Sequence, residues 1–226
     1  PTQKALFGFG TTGSYTAVTN LVNSSGVVGS DVTGVGTARH GLAAANFGGD
    51  KAIFGYGYSS AARVATTNLV SNEGVVASDT SGVGSVRYHL AAATFGGDKA
   101  IFGYGNTGSM VSITNLVSSS GVVATDTTGV GTARNGLGAA EFGVGKAIFA
   151  YGNGGSDVSM SNLVSNLGVV ATDVSGVGTA RRFLAAASYG GDKAIFGYGI
   201  GGSSSSLTNL VNNSGVVASD VSGVGT

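Results

Sequence analysis

The chain has 226 residues, 42 of them glycine, and its 10% of charged residues divides into 11 basic and 11 acidic side chains. That balance excludes a nucleic-acid binder working through counterion release, and the lack of cysteine excludes a disulfide framework, thiolate metal ligation and a cysteine nucleophile. No run of 18 apolar residues is present to span a bilayer, so no membrane partner is expected.

From the start of the chain, KALFGFG at 4–10 returns as KAIFGYG at 51, 99 and 193 and as KAIFAYG at 146. Lys4, Lys51, Lys99, Lys146 and Lys193 are thus 47, 48, 47 and 47 residues apart, the mark of a repeat architecture. Asn20, Asn68, Asn115, Asn162 and Asn209 each begin NLV, and Asp31, Asp79, Asp126, Asp173 and Asp220 each precede a T/S-G-V-G turn. One domain of five units is expected, approximately 1–37, 38–85, 86–132, 133–179 and 180–226.

Each unit holds four short apolar runs separated by glycine or Ser/Asn turns, the signature of strands. In unit 2 they are LAAANF (42–47), KAIFGYG (51–57), TNLVSN (67–72) and GVVASD (74–79), with FGGD and SNEG as hairpin turns. LAAA is too short to stand as a helix. Four antiparallel strands in such a unit make one propeller blade, and runs apolar throughout suit a sheet covered on both faces. The expected fold is all-β, a five-bladed β-propeller, with a β-solenoid as the alternative. Pro1 to Gln3 stand where GGD stands later and Thr226 aligns with Thr37, so unit 1 lacks A-R-x-x-L-A-A-A-x-F, one inner strand. A closed ring is expected, with that strand absent or borrowed from another chain.

The order R-x-x-L-A-A-A-x-F-G-G-D-K-A-I-F-G-Y-G, then N-L-V and G-V-V-x-x-D, resembles the kelch repeat across the whole chain. It departs from that pattern in lacking the outer-strand tryptophan and the double glycine that closes the second strand. The units are also similar to repetitive proteins of phage tail or virion type, which implies an extracellular or virion-associated place. The kelch resemblance implies a binding scaffold more than an enzyme.

Arg39, Arg87, Arg134 and Arg181 each begin an inner strand, eight residues after the aspartate that ends the previous outer strand, so both ends of that connection lie on one rim. An ion pair between neighbouring units is expected, the aspartate also capping its turn; the rival is a Ca²⁺ loop on D-x-[ST]-G, with one carboxylate where such sites use several. His40 and His89, the only histidines, have no cysteine or repeated carboxylate beside them, and no G-x-S-x-G elbow occurs. No enzyme activity, metal or cofactor is expected.

Fourteen of the eighteen aromatic residues recur in register; Tyr15, Tyr58, Tyr88 and Phe183 do not. Tyr15 and Tyr58 lie between the second and third strands, Tyr88 and Phe183 in the variable places of R-x-x-L, and alternating strand direction puts both segments on one rim. Arg63, His89 and Arg182 are out of register there too, as are His40, Met110 and Asp157. Aromatic and arginine side chains anchor interfaces, so Tyr15, Tyr58, Arg63, Tyr88, His89, Arg182 and Phe183 are the expected ligand-binding set, taking a glycan or protein, and all but His89 are expected to be solvent-exposed. A structural array, with the chain as homo-oligomer in a virion or fibre, is the alternative.

Overall fold

In residues 4–225, which the computed structural model of the chain describes, every regular element is a β-strand. Pro1 to Gln3 and Thr226, used above to place the first and last registers, lie outside the described residues. Unit 2 is an antiparallel sheet of Ala43–Phe47, Lys51–Gly55 and Thr67–Val70 with the second strand in the middle. The same sheet recurs as Ala91–Phe95, Lys99–Gly103 and Thr114–Val117, as Gly138–Phe142, Lys146–Ala150 and Ser161–Val164, and as Ala185–Tyr189, Lys193–Gly197 and Thr208–Val211. Unit 1 has two strands, Ala5–Thr11 and Tyr15–Val22.

The fourth expected strand is an irregular edge. In unit 2 it joins the third strand through the bridges Val70↔Val76 and Thr67↔Thr80, with Ala77 N donating to Leu69 O at 2.8 Å between them. Between the bridges the outer segment carries one residue more than its partner, so the edge bulges and regular pairing stops. Bulged edges resist adding foreign strands.

The apolar core lies between units. Ala43, Phe47, Ile53 and Tyr56 of unit 2 cluster with Leu90, Ala100, Phe102 and Val117 of unit 3, and equivalent clusters join units 3 and 4 and units 4 and 5. Backbone hydrogen bonds tie consecutive units at both ends of the inner strand: Gly48 N donates to Asp98 O at 2.7 Å on one rim and Gly57 N to Arg87 O at 2.9 Å on the other. The outermost faces lack this cover. Phe7 is 64% exposed and Tyr198 48%, whereas Phe102, Phe149, Tyr56, Tyr104 and Tyr151 are fully buried.

One joint shows how tightly the sheets meet. Ala43 pairs with Gly55 and Ala91 with Gly103, but in unit 4 the pair is reversed, Gly138 with Ala150. A Cβ on Gly103 would lie 2.7 Å from the Phe149 ring, whereas in unit 4 the space beside Gly138 is taken by Phe196, 3.1 Å from such a Cβ. The methyl group has changed strands and the next phenylalanine has followed the space. Gly103→Ala is expected to cost about 1–3 kcal/mol by overpacking, and adding Ala91→Gly to recover most of it, as read by chemical denaturation of both variants.

Candidate functional site

Each of units 2–5 holds its rim through one buried arginine. Arg39 Nε donates to Tyr56 O at 2.8 Å, Nη1 to Thr37 O at 2.9 Å and Nη2 to Asn68 Oδ1 at 2.6 Å. Asn68 Nδ2 in turn donates to Asp79 Oδ1 at 2.8 Å, and Asp79 Oδ2 accepts from Thr37 N and Oγ1 at 2.9 and 2.6 Å. The guanidinium lies 4.3 Å over the Phe9 ring, and Arg87, Arg134 and Arg181 lie 4.0–4.2 Å over Tyr56, Tyr104 and Tyr151 of their preceding units.

This arrangement corrects the expected pairing between neighbouring units. Arg39 faces Asp79 of its own unit at 3.9 Å, not Asp31. The outer segment folds back over the sheet, so the aspartate that closes a unit returns to the entrance of that same unit. Both Asp79 carboxylate oxygens are engaged by protein donors. Burial pushes Arg39 down to about 10, partly countered by Asp79, and the group keeps its charge at neutral pH.

Beyond the latch, the rim is built as a ribbon. The connection between second and third strands turns back on itself, pairing Tyr58 with Arg63, Asn106 with Met110, Asn153 with Asp157 and Ile200 with Ser204; Thr11 pairs with Tyr15 in unit 1. The first arm also pairs with the residue after the buried arginine: His40 with Tyr58, Tyr88 with Asn106, Asn135 with Asn153 and Arg182 with Ile200. The variable positions are therefore held side by side by main-chain pairing.

The next residue of each unit forms a ladder across the units. His89 N donates to Gly41 O at 2.7 Å, Gly136 N to His89 O at 2.9 Å and Phe183 N to Gly136 O at 2.7 Å. All four have φ between 53° and 62°. Glycine accepts that conformation freely, whereas histidine and phenylalanine pay about 1–2 kcal/mol each; the same left-handed backbone recurs at Phe9, Tyr56, Tyr104, Tyr151 and Tyr198 after the second-strand phenylalanines.

All seven expected site residues come together here. Tyr15 stacks on His40 with ring centroids 5.0 Å apart. His40 meets Tyr58, Tyr88 and His89 at 6.0, 6.4 and 6.0 Å, and Tyr58 meets Tyr88 at 5.5 Å. His89 reaches Phe183, two units on, at 4.9 Å across the bare Gly136. Arg63 lies 6.0 Å from the Tyr58 ring centroid and 5.5 Å from that of Tyr88, and among the described residues has no carboxylate within salt-bridge distance. Arg182 extends the cluster through an ion pair to Asp157 at 2.6 Å, and Asp157 also accepts from Asn153 at 2.9 Å.

Solvent exposure differs from expectation. Phe183 is exposed, but Tyr15, Tyr58, Arg63, Tyr88, His89 and Arg182 are half-buried, because these unrepeated side chains pack on one another. Burial, together with His40 nearby, lowers the pKa of His89. His40 is the hub of the cluster, and its sequence signal was its position beside Arg39. The strained backbone was readable from glycine alternating with His89 and Phe183 at one register.

The latch carboxylates give a pH prediction. For Asp126, burial acts to raise the pKa, but hydrogen bonds from Ser85 and Asn115 and the Arg87 charge outweigh it, leaving the value depressed; Asp79, Asp173 and Asp220 behave alike. A depressed carboxylate stabilises the fold above its unfolded value of about 3.9 and loses that contribution as pH falls through the folded value. Urea denaturation is expected to show stability falling below about pH 4. Asp126→Asn should lose about 1–3 kcal/mol near pH 7, and less in acid, equally in calcium and in chelator. A calcium-dependent gain above about 1 kcal/mol would assign the aspartate to an ion instead.

No protein-family model and no curated protein matches the chain.

Proposed function

We propose that the chain is a non-catalytic recognition scaffold of kelch-like, propeller-type blades that binds a glycan or protein through the rim bearing Tyr15, Tyr58, Arg63, Tyr88, His89, Arg182 and Phe183. The blade reading is supported by the repeated sheet, its bulged outer edge and the burial of both sheet faces between neighbours. A five-bladed ring needs unit 1 seated on unit 5; exposed Phe7 and Tyr198 are the two sides of that unmade joint.

The observation that carries the binding role is the chain of ring contacts from Tyr15 through His40 and His89 to Phe183, gathered from four units. Half-buried rings present flat apolar faces, and Arg63 supplies a charge without a carboxylate partner among the described residues. Such a surface suits sugar rings, above all those carrying a carboxylate, and equally the aromatic or acidic side chains of a protein. A glycan array containing neutral, uronic-acid and sialic-acid oligosaccharides tests the sugar reading. Tyr58→Ala and Tyr88→Ala are each expected to weaken a hit about tenfold or more, corresponding to about 1.4 kcal/mol, with the circular-dichroism spectrum retained. Hits that bind both variants as tightly as the parent would remove the rim from the proposal. The alternative is a structural repeat array in a virion or fibre, which the near-uniform, sparsely charged units suit.

A further inference from the structure

The rim cluster gathers basic groups without acidic ones. Arg63 lies 6.0 and 5.5 Å from the Tyr58 and Tyr88 ring centroids, and its buried Nε has no hydrogen-bond partner among the described residues. His40 and His89 meet at 6.0 Å, and His89 lies 4.3 Å from the same Tyr88 ring. The bare Gly41 permits that approach, since a Cβ there would lie 2.8 Å from His89 Cδ2. Among the described residues none of the three basic side chains has a carboxylate within salt-bridge distance. The aspartates of the surrounding segments are engaged elsewhere. Asp157 holds Arg182 at 2.6 Å and accepts from Asn153 at 2.9 Å; Asp31 accepts from Asn20 at 2.8 Å, and Asp79 closes the latch of unit 2, where Arg39 is buried.

The tyrosines set among these groups also differ from the repeated ones. Tyr56, Tyr104, Tyr151 and Tyr198 each donate the hydroxyl hydrogen to a valine carbonyl at 3.1–3.2 Å. The hydroxyls of Tyr15, Tyr58 and Tyr88 bond to no described residue and are free to donate and accept.

A guanidinium and two imidazoles that repel one another once protonated are costly to gather without a counter-charge, and an anion relieves that cost. Burial, with His40 nearby, accordingly holds His89 below the ordinary histidine value. A small inorganic anion would leave the ring faces and the free hydroxyls unused. A pyranose bearing a carboxylate uses all of them: its C–H face lies on a tyrosine ring, its hydroxyls meet the phenols and its carboxylate meets the basic groups.

We infer that the rim takes an acidic glycan, with the carboxylate of a uronic- or sialic-acid residue facing Arg63 and the two histidines, the sugar ring lying on Tyr58 or Tyr88, and binding drawing protons onto the histidines. This rests on the recognition reading above and adds to it the ligand class and a pH dependence. The sugar carboxylate, like an α-carboxyl group of pKa about 3.5, stays ionised while histidine titrates between about pH 5 and 8. Tyrosine and arginine do not change charge in that window, so the positive charge of the site grows as pH falls and affinity rises with it.

Oligosaccharides of galacturonic, glucuronic and sialic acid, each beside its carboxyl-reduced neutral counterpart, test the inference by titration calorimetry. The parent protein is expected to bind an acidic member about tenfold or more tighter than its reduced counterpart, and about threefold or more tighter again at about pH 5.5 than at about pH 7.5. Arg63→Gln should bring acidic and reduced ligands level. His89→Asn, a residue that tolerates left-handed backbone, should keep the preference for acid at the higher pH and lose most of the tightening; both variants should retain the circular-dichroism spectrum. Neutral members bound as tightly as acidic ones, no acidic member bound, an acidic peptide bound in place of every sugar, or an affinity flat with pH would each overturn the inference. Neutral ligands that Tyr88→Ala releases would overturn it while leaving the recognition rim standing, whereas acidic ligands held equally by Tyr58→Ala and Tyr88→Ala would remove the rim as well.

Discussion

The rest of the structure depends on a full positive charge held in each of the joints between units. Arg39, Arg87, Arg134 and Arg181 are completely buried, and each lies 3.9–4.0 Å from its aspartate, beyond hydrogen-bonding distance. Removing a cation from water is costly unless polar groups replace the water. Here the replacements are backbone carbonyls, an asparagine amide oxygen and the face of the preceding aromatic ring. For Arg39, Arg134 and Arg181 these come from the entry segment, the second strand, the third strand and the previous unit, whereas Arg87 lacks the second-strand bond and its buried Nε has no partner among the described residues. One side chain thereby specifies how strands sit within a sheet and how the sheet sits on its neighbour. The repeated asparagine is explained by the same need, since it accepts from arginine and donates to aspartate at once.

Much of the fold was legible because repetition converts weak local signals into a register. The first three strands of unit 2 fall inside the runs 42–47, 51–57 and 67–72. The outer run was read as a strand from GVVASD, but its extra residue relative to the third strand becomes visible only when the two are paired. The arginine's partner was misread for a related reason. Asp31 is eight residues from Arg39 along the chain, while Asp79 is brought to it by three intervening strands.

For the candidate site, strand alternation alone located the rim, and the residues that break the period do gather there. Their burial was not legible. A repeated position reveals its environment by being held constant, whereas Tyr15, His40, Tyr88 and Phe183 are one another's environment and occur once each. The ladder through Gly41, His89, Gly136 and Phe183 explains how such variety is tolerated: main-chain hydrogen bonds hold a left-handed backbone at each step whatever the side chain. Bulk at two of the four steps and its absence at Gly136 let rings from alternate units touch.

The reversed alanine–glycine pair of unit 4 bears on how such a gene can be reshuffled. A crossover within the turn between the first two strands would join an Ala91-type strand to an Ala150-type strand, or a Gly138-type strand to a Gly103-type one. The first hybrid carries two methyl groups where the next phenylalanine leaves room for one; the second carries none and leaves a void of about a methyl group, each hybrid losing on the order of 1 kcal/mol. Crossovers outside this hairpin keep the pair matched. The first two strands are thus inherited as a single block, and their halves are not interchangeable between units 3 and 4.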